Sequence, residues 1–178
     1  MSVEHPASPG PSPSPSSAPA DTVRDRQARA VVQQLRIVYR AMQEHSRWVE
    51  KQCGVSAAQL WALWELTNRS GLRVSELSQA LSLHQSTTSN LLDKLEKKGL
   101  VERRRGGPDQ RVVQVFVSAA GQALVARAPR PVQGAISAAL AQLPDADLAR
   151  LSQALAALIG RMEGADRDAA LQPMSGGL

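Results

Sequence analysis

Six consecutive residues, Gln85-Ser86-Thr87-Thr88-Ser89-Asn90, offer hydroxyl and amide groups where the surrounding pattern begins a helix. Short side chains of this kind suit the donor and acceptor edges of bases in a major groove, and the free N–H groups of a helix start favour a phosphate. Leu91, Leu92 and Leu95 hold the other face to a core. Lys94, Lys97 and Lys98 follow, then Arg103, Arg104, Arg105 and Arg111. Between Lys94 and Arg111 there are seven Lys or Arg against three acids (Glu96, Glu102 and Asp109), a surplus of +4 within a whole-chain charge of +5. A surplus gathered into one stretch points to a polyanionic partner more strongly than the total does. Taken singly, each feature has a plainer reading as a helix cap, a solvated face or an ordinary turn. Their fixed order is what points to double-stranded DNA.

The elements that must position these groups are legible around them. Ser75 suits an N-cap, and Glu76 complements the dipole of a short helix over 76–80. A turn over 81–85 leads to a second helix over about 86–98, stopped by Gly99. Two helices joined by a tight turn have the spacing of a helix–turn–helix. The period then changes. Residues 101–105 read as a strand, Gly106-Gly107-Pro108-Asp109 as a turn, and 111–117 as a returning strand with Val113, Val115 and Val117 on one face. With a short extended piece over 72–74, the expected winged helix–turn–helix covers residues 72–118.

Residues 1–20 are rich in Pro, Ser and Ala, a composition expected of a disordered, partly polyproline-II tail. From about residue 21, Val32, Leu35, Val38, Met42, His45 and Val49 recur at helical spacing up to Cys53-Gly54. Ser56 then caps a helix over 57–67. After Ser118, a further cap, the chain is expected to be helical to about 143, with a kink or break at Pro129 and Pro131. Pro144-Asp145 restarts it, and Leu148, Leu151, Leu155, Leu158 and Met162 form a coiled-coil-like stripe. The expected class is mostly α (α+β): a winged helix–turn–helix with long N- and C-terminal dimerisation helices. The expected domains are a tail over 1–20, a dimerisation helix over 21–55, the DNA-binding domain over 56–118, dimerisation helices over 119–164 and a flexible tail over 165–178.

Asp109-Gln110-Arg111, the apolar strand ending at Ser118, and Gly121 after it resemble the wing signature of the MarR (multiple-antibiotic-resistance regulator) family. The run from Leu91 to Arg103 is similar to that family's recognition-helix exit. The resemblance covers about residues 31–162. It implies that Arg111 enters the minor groove at the wing tip while Asp109 holds the guanidinium in a charge-assisted pair. Base reading then falls to Gln85, Ser86, Thr87, Ser89 and Asn90, with Lys94, Arg103 and Arg105 positioned on phosphates. The chain departs from the pattern where Asn90 replaces a frequent Arg and Ser118 a frequent Thr.

The resemblance also implies a homodimer on a pseudo-palindromic operator, with the reading helices about one DNA turn apart at ~34 Å. The leucine stripe agrees, although such a stripe also serves packing within one subunit. Repression is the family's commoner mode. Its members often bind small aromatic acids or phenols (benzoate-, salicylate- or nicotinate-like) between the dimer helices and the winged domain. His45, Trp48, Trp61 and Trp64 are the candidates for that role here, through hydrogen bonding and ring stacking. A satisfied core histidine is the plainer account of His45. The alternative effector chemistry is redox sensing at Cys53, as in one branch of the family. There the reactive cysteine lies near the start of the first helix, whereas Cys53 lies at its end.

Other classes find little support. No phosphate loop, zinc-ligand cluster or nucleophile elbow is visible, so neither an enzyme nor a cofactor is expected. A winged helix that docks only protein should carry a more apolar face. One cysteine and no apolar run of ~18 residues fit a soluble cytoplasmic chain without a membrane partner.

Overall fold

A computed structural model describes residues 22–105, 112–132 and 134–174. The chain divides after Leu35 into two units. In the first, the start of α1 (Val23–Cys53) is fixed by a reciprocal cap. The Thr22 hydroxyl donates to Asp25 Oδ2 at 2.6 Å, and the Asp25 N–H donates to Thr22 Oγ1 at 3.1 Å. That hydroxyl and the Thr22 N–H hold the Asp25 carboxyl below its usual range. Every described residue up to Leu35 is exposed, Val31, Val32 and Leu35 among them.

The second unit begins within α1 and contains the core. Ser56 caps α2 (Ala57–Asn68) in a capping box, its hydroxyl accepting from the Gln59 N–H while the Gln59 amide oxygen accepts from the Ser56 N–H. Strand β1 (Leu72–Arg73) leads directly into α3 (Val74–Leu81). Ser75 therefore lies inside the helix instead of capping it. The start is closed by Glu76, whose carboxylate accepts from the Arg73 N–H at 2.7 Å. Left-handed Ser82 turns the chain toward α4 (Gln85–Lys97).

The hairpin of β2 (Val101–Arg105) and β3 (Val113–Val117) pairs antiparallel, and β1 joins its far side to give the order β1-β3-β2. The expected turn over 106–109 and the first residue of the returning strand lie outside the described residues. Leu60, Leu63 and Leu66 of α2 form the buried centre with Leu77, Leu92, Leu95 and Val115. The next helix, α5 (Ala119–Arg127), is capped by Ser118, whose Oγ accepts from the Gly121 N–H at 3.1 Å. A Cβ added at Gly121 would overlap the Leu100 carbonyl oxygen, so only glycine lets α5 start against the segment that follows α4.

Helix ends at Arg127 and resumes only in α6 (Ala135–Leu140), placing the expected break across Pro129 and Pro131. In α7 (Asp145–Ile159), Leu148, Leu151, Leu155 and Leu158 are all exposed, and Met162 falls beyond the helix end. Within the expected tail over 165–178, of which 175–178 lie outside the described residues, a 3-10 helix forms at Arg167–Leu171. Its Leu171 carbonyl accepts from the His84 N–H at 3.0 Å. No helix among the described residues is long and apolar enough to cross a membrane.

Candidate nucleic-acid interface and adjoining cavity

Helical spacing divides α4 cleanly. Thr88, Leu91, Leu92 and Leu95 recur at three and four residues and are buried. Gln85, Ser86, Asn90 and Lys94 are exposed on the remaining surface, and Thr87 and Ser89 are half-buried at its margins. Thr88, the one member of the polar opening that faces the core, is satisfied there: its hydroxyl donates to the His84 carbonyl at 3.0 Å. Lys97 is exposed beyond Lys94, while Lys98 donates to the Gly54 carbonyl and so anchors the helix exit to the end of α1.

The wing arginines differ from one another. Arg103 lies 2.6 Å from Asp93 and 2.8 Å from Glu96, and its guanidinium also reaches the Ser89 carbonyl at 3.4 Å. Expected on a phosphate, it is held in the free chain by two carboxylates of α4. Arg104 pairs with Glu102 at 2.9 Å and lies 4.9 Å above the Phe116 ring, a cation–π arrangement. Arg105, at the end of β2, is exposed. Asp109 and Arg111, the two residues of the wing signature, lie outside the described residues. A groove of about 540 Å³ runs beside α4, lined by Thr87, Asn90, Lys94, Lys97 and Lys98 together with Glu50 of α1.

A second cavity, of about 250 Å³, opens behind the start of α4. It is mostly apolar, and His45 and Trp61 stand in its wall. His45 Nε2 is buried with no hydrogen-bond partner, and burial lowers the imidazole pKa below its ordinary value. Gly134 lies beside this ring and adopts φ +91°, a backbone conformation that favours glycine. The Trp61 indole N–H is already satisfied by Glu65 at 3.0 Å. The other two expected ligand residues are not in the cavity wall. Trp48 is exposed, its ring centroid 6.2 Å from that of His45, and Trp64 packs against the core. Met42, Leu83, Val132, Ile136 and Met174 contribute instead. Met42 was legible from the stripe of the first helix, but nothing local marks residues brought together from such distant segments.

Burial pushes the Cys53 thiol pKa up, opposed by the nearby Arg127 charge. That is the reverse of an activated thiolate, and it removes support from redox sensing at this position. Among the described residues, no group of three or more His, Cys, Asp or Glu could hold a metal ion.

Comparison with known proteins agrees with this geometry. Residues 55–113 match the model of the MarR family. The chain is 34% identical over 73 residues to the HTH-type transcriptional repressor MdtR of Bacillus subtilis, covering 41% of this chain and 46% of MdtR. It is 28% identical over 109 residues to the HTH-type transcriptional regulator YsmB of the same organism, covering 61% and 71%. The match to MdtR thus spans about half of that protein's length. Among solved structures, that of the S. aureus MepR–DNA complex shares the fold at a TM-score of 0.54, with 21% identity over 73% of this chain and 96% of that one. Both of these relatives are HTH-type transcriptional regulators. Over residues 55–113 the chain is thus similar to the MarR family of transcriptional regulators.

Proposed function

We propose that this chain is a ligand-responsive transcriptional repressor that binds a pseudo-palindromic duplex as a homodimer. One observation carries the reading: the exposed row Gln85, Ser86, Asn90 and Lys94 on a helix whose opposite face is locked in the core, next to a basic hairpin. Such a helix presents amide, hydroxyl and ammonium groups to base edges and phosphates without reorganising. Thr87 and Ser89 flank that row, Arg105 lies on phosphate, and Arg111 enters the minor groove with Asp109 as its partner. Arg103 orients the helix against the hairpin. MepR of S. aureus, which shares the fold, has been solved with DNA.

Dimerisation is supported by the apolar side chains left in solvent. Leu148, Leu151, Leu155 and Leu158 are each about 40% exposed on α7, and Val32, Leu35 and Val38 of α1 are similarly open. Stripes of that size on a water-soluble chain call for a cover, and a second copy supplies one by symmetry.

The effector is a small aromatic acid or phenol entering the cavity at His45 and Trp61. No Lys or Arg lines that cavity among the described residues, so a carboxylate would be matched only by a protonated His45. A phenol hydroxyl suits the neutral imidazole better.

The deciding experiment is a mobility-shift titration with the duplex upstream of the chain's own coding region, with and without phenol and salicylate. Specific binding that either compound releases supports the reading. Equal affinity for that duplex and for random DNA defeats it.

A further inference from the structure

We propose that the C-terminal strap, residues 167–174, is an access- and specificity-determining wall of the His45 cavity and ties that wall to the start of the reading helix. The cavity is built mainly from α1, α2, the turn before α4 and the segment ahead of α6. Ala170, Gln172, Pro173 and Met174 complete it from the far end of the sequence. The strap is fixed at one point of known geometry, the His84 N–H donating to the Leu171 carbonyl at 3.0 Å. His84 is no neutral anchor. It is the residue before α4, and its carbonyl accepts from both the amide and the hydroxyl of Thr88 in that helix's first turn.

Gln172 and Pro173 line both the His45 cavity and the groove bearing Thr87, Asn90 and Lys94, so the strap is the partition between the two. Its attachment is slight. Of the four wall residues only Pro173 is even half-buried, and Met174 is 67% exposed. A segment with few buried contacts and one backbone tie opens locally at low cost while the core stays closed. Opening it uncovers His45 Nε2, removes a wall from any occupant and frees the His84 amide. A bulky occupant holds the strap away, and a small one lets it close.

The role of the strap in effector entry rests on the reading of the cavity as the effector site, but the gate is testable without an effector. The full chain and a variant ending at Gly164 are treated with diethyl pyrocarbonate, and carbethoxylation of His45 is followed by peptide mass spectrometry. Removal of the strap is expected to raise the rate at His45 at least tenfold and to abolish exchange protection of the His84 amide. Protection at Leu60 and Leu92 should remain, which checks the fold. A full-length Ala170→Asp/Met174→Asp variant, which puts charge on the apolar wall, should give the same result and serves if the shortened chain fails to fold.

An unchanged His45 rate in a folded variant overturns the proposal. Phenol binding, followed by tryptophan fluorescence, separates the two readings. A changed His45 rate with no phenol or salicylate binding to either chain supports the gate and defeats the effector reading. Binding of equal affinity and equal on-rate in both chains, with DNA release retained, keeps the effector reading and defeats the gate.

Discussion

Arg103 of β2 holds its Nη2 2.6 Å from Asp93 Oδ1 of α4, so the first strand of the hairpin is ionically tied to that helix. Its Nη1 lies 2.8 Å from Glu96, three residues further along the same helix. A guanidinium shared by two carboxylates is held in place, and its charge is expected to serve orientation. Replacing Arg103 by Ala should cost about 0.5–1.5 kcal/mol of stability, because the side chain is only partly screened. Operator affinity should fall several-fold with an unchanged salt slope. A slope reduced by one unit in the variant would return Arg103 to a phosphate contact. The exposed Arg150–Asp147 pair, 3.0 Å apart, is the control, and its removal should change stability by less than ~0.5 kcal/mol.

Lys94 and Asn90 project from one exposed row of α4 and should behave differently when truncated. Lys94→Ala removes a phosphate-directed charge, so binding should weaken alike on operator and random duplex, and the salt slope should drop by about one. Asn90→Ala removes an amide able to bond a base edge. It should cost about 1–3 kcal/mol on the operator and little on random DNA. Competition titrations at two salt concentrations separate the two. Equal losses on both duplexes for Asn90→Ala would make that residue a spacer.

Much of this arrangement was legible in the chain itself. The 91, 92, 95 spacing marked the buried face of α4, which Thr88 extends unannounced, and the caps at Ser56 and Ser118 formed as their residue types suggest. The Ser75 cap did not form, because the Glu76 carboxylate reached the Arg73 amide and let the helix begin earlier. The ion pairs of Arg103 were not legible, because a run of arginines looks the same whether its partners are phosphates or carboxylates. Only the crossing of β2 over α4 brings Asp93 and Glu96 to it. The cavity was half legible: His45 and Trp61 come from helices with clear patterns. The strap has no periodicity, so its return to His84 left no local signal.

Gly121 gives the most severe packing prediction. A methyl group there overlaps the Leu100 carbonyl and comes 2.7 Å from Val117 Cγ2, and neither backbone nor β-branched side chain can yield easily. Gly121→Ala should therefore destabilise by roughly 2–4 kcal/mol. Chemical denaturation of the two proteins measures this, and a loss below ~0.5 kcal/mol would mean that α5 is able to slide away from Leu100.

The α7 stripe makes a prediction about association. Leu151→Glu/Leu155→Glu places two charges on residues about 40% exposed, so the subunit's own core is barely touched. Sedimentation equilibrium should show a monomer at micromolar concentration, and circular dichroism should show unchanged helix content. Operator affinity should fall by at least 100-fold as the second reading head is lost. A dimer that persists in the double variant would assign the stripe to packing within the subunit.

His45 supplies a pH signature that separates the cavity from the rest of the protein. Burial lowers its pKa in the folded chain below the ordinary value of 6.5, so just below pH ~6.5 the unfolded chain binds the extra proton and the folded chain does not. Stability therefore rises with pH across this window and levels off above it; as pH falls from about 6.5 it is lost until the folded pKa is passed. No Asp, Glu, Lys or Arg lines the cavity among the described residues to offset the new charge. The contribution of Asp25 is lost only below its ordinary value of 3.8, which is outside the range from pH 7.5 to 5.5. The melting temperature of the native chain should thus fall between pH 7.5 and 5.5 by more than that of His45→Gln, which keeps a polar side chain but cannot take the proton. Phenol, by occupying the cavity beside Nε2, should steepen the native chain's dependence and leave the variant's unchanged. Parallel curves for the two proteins would show that His45 is hydrated in solution and that its burial is not maintained.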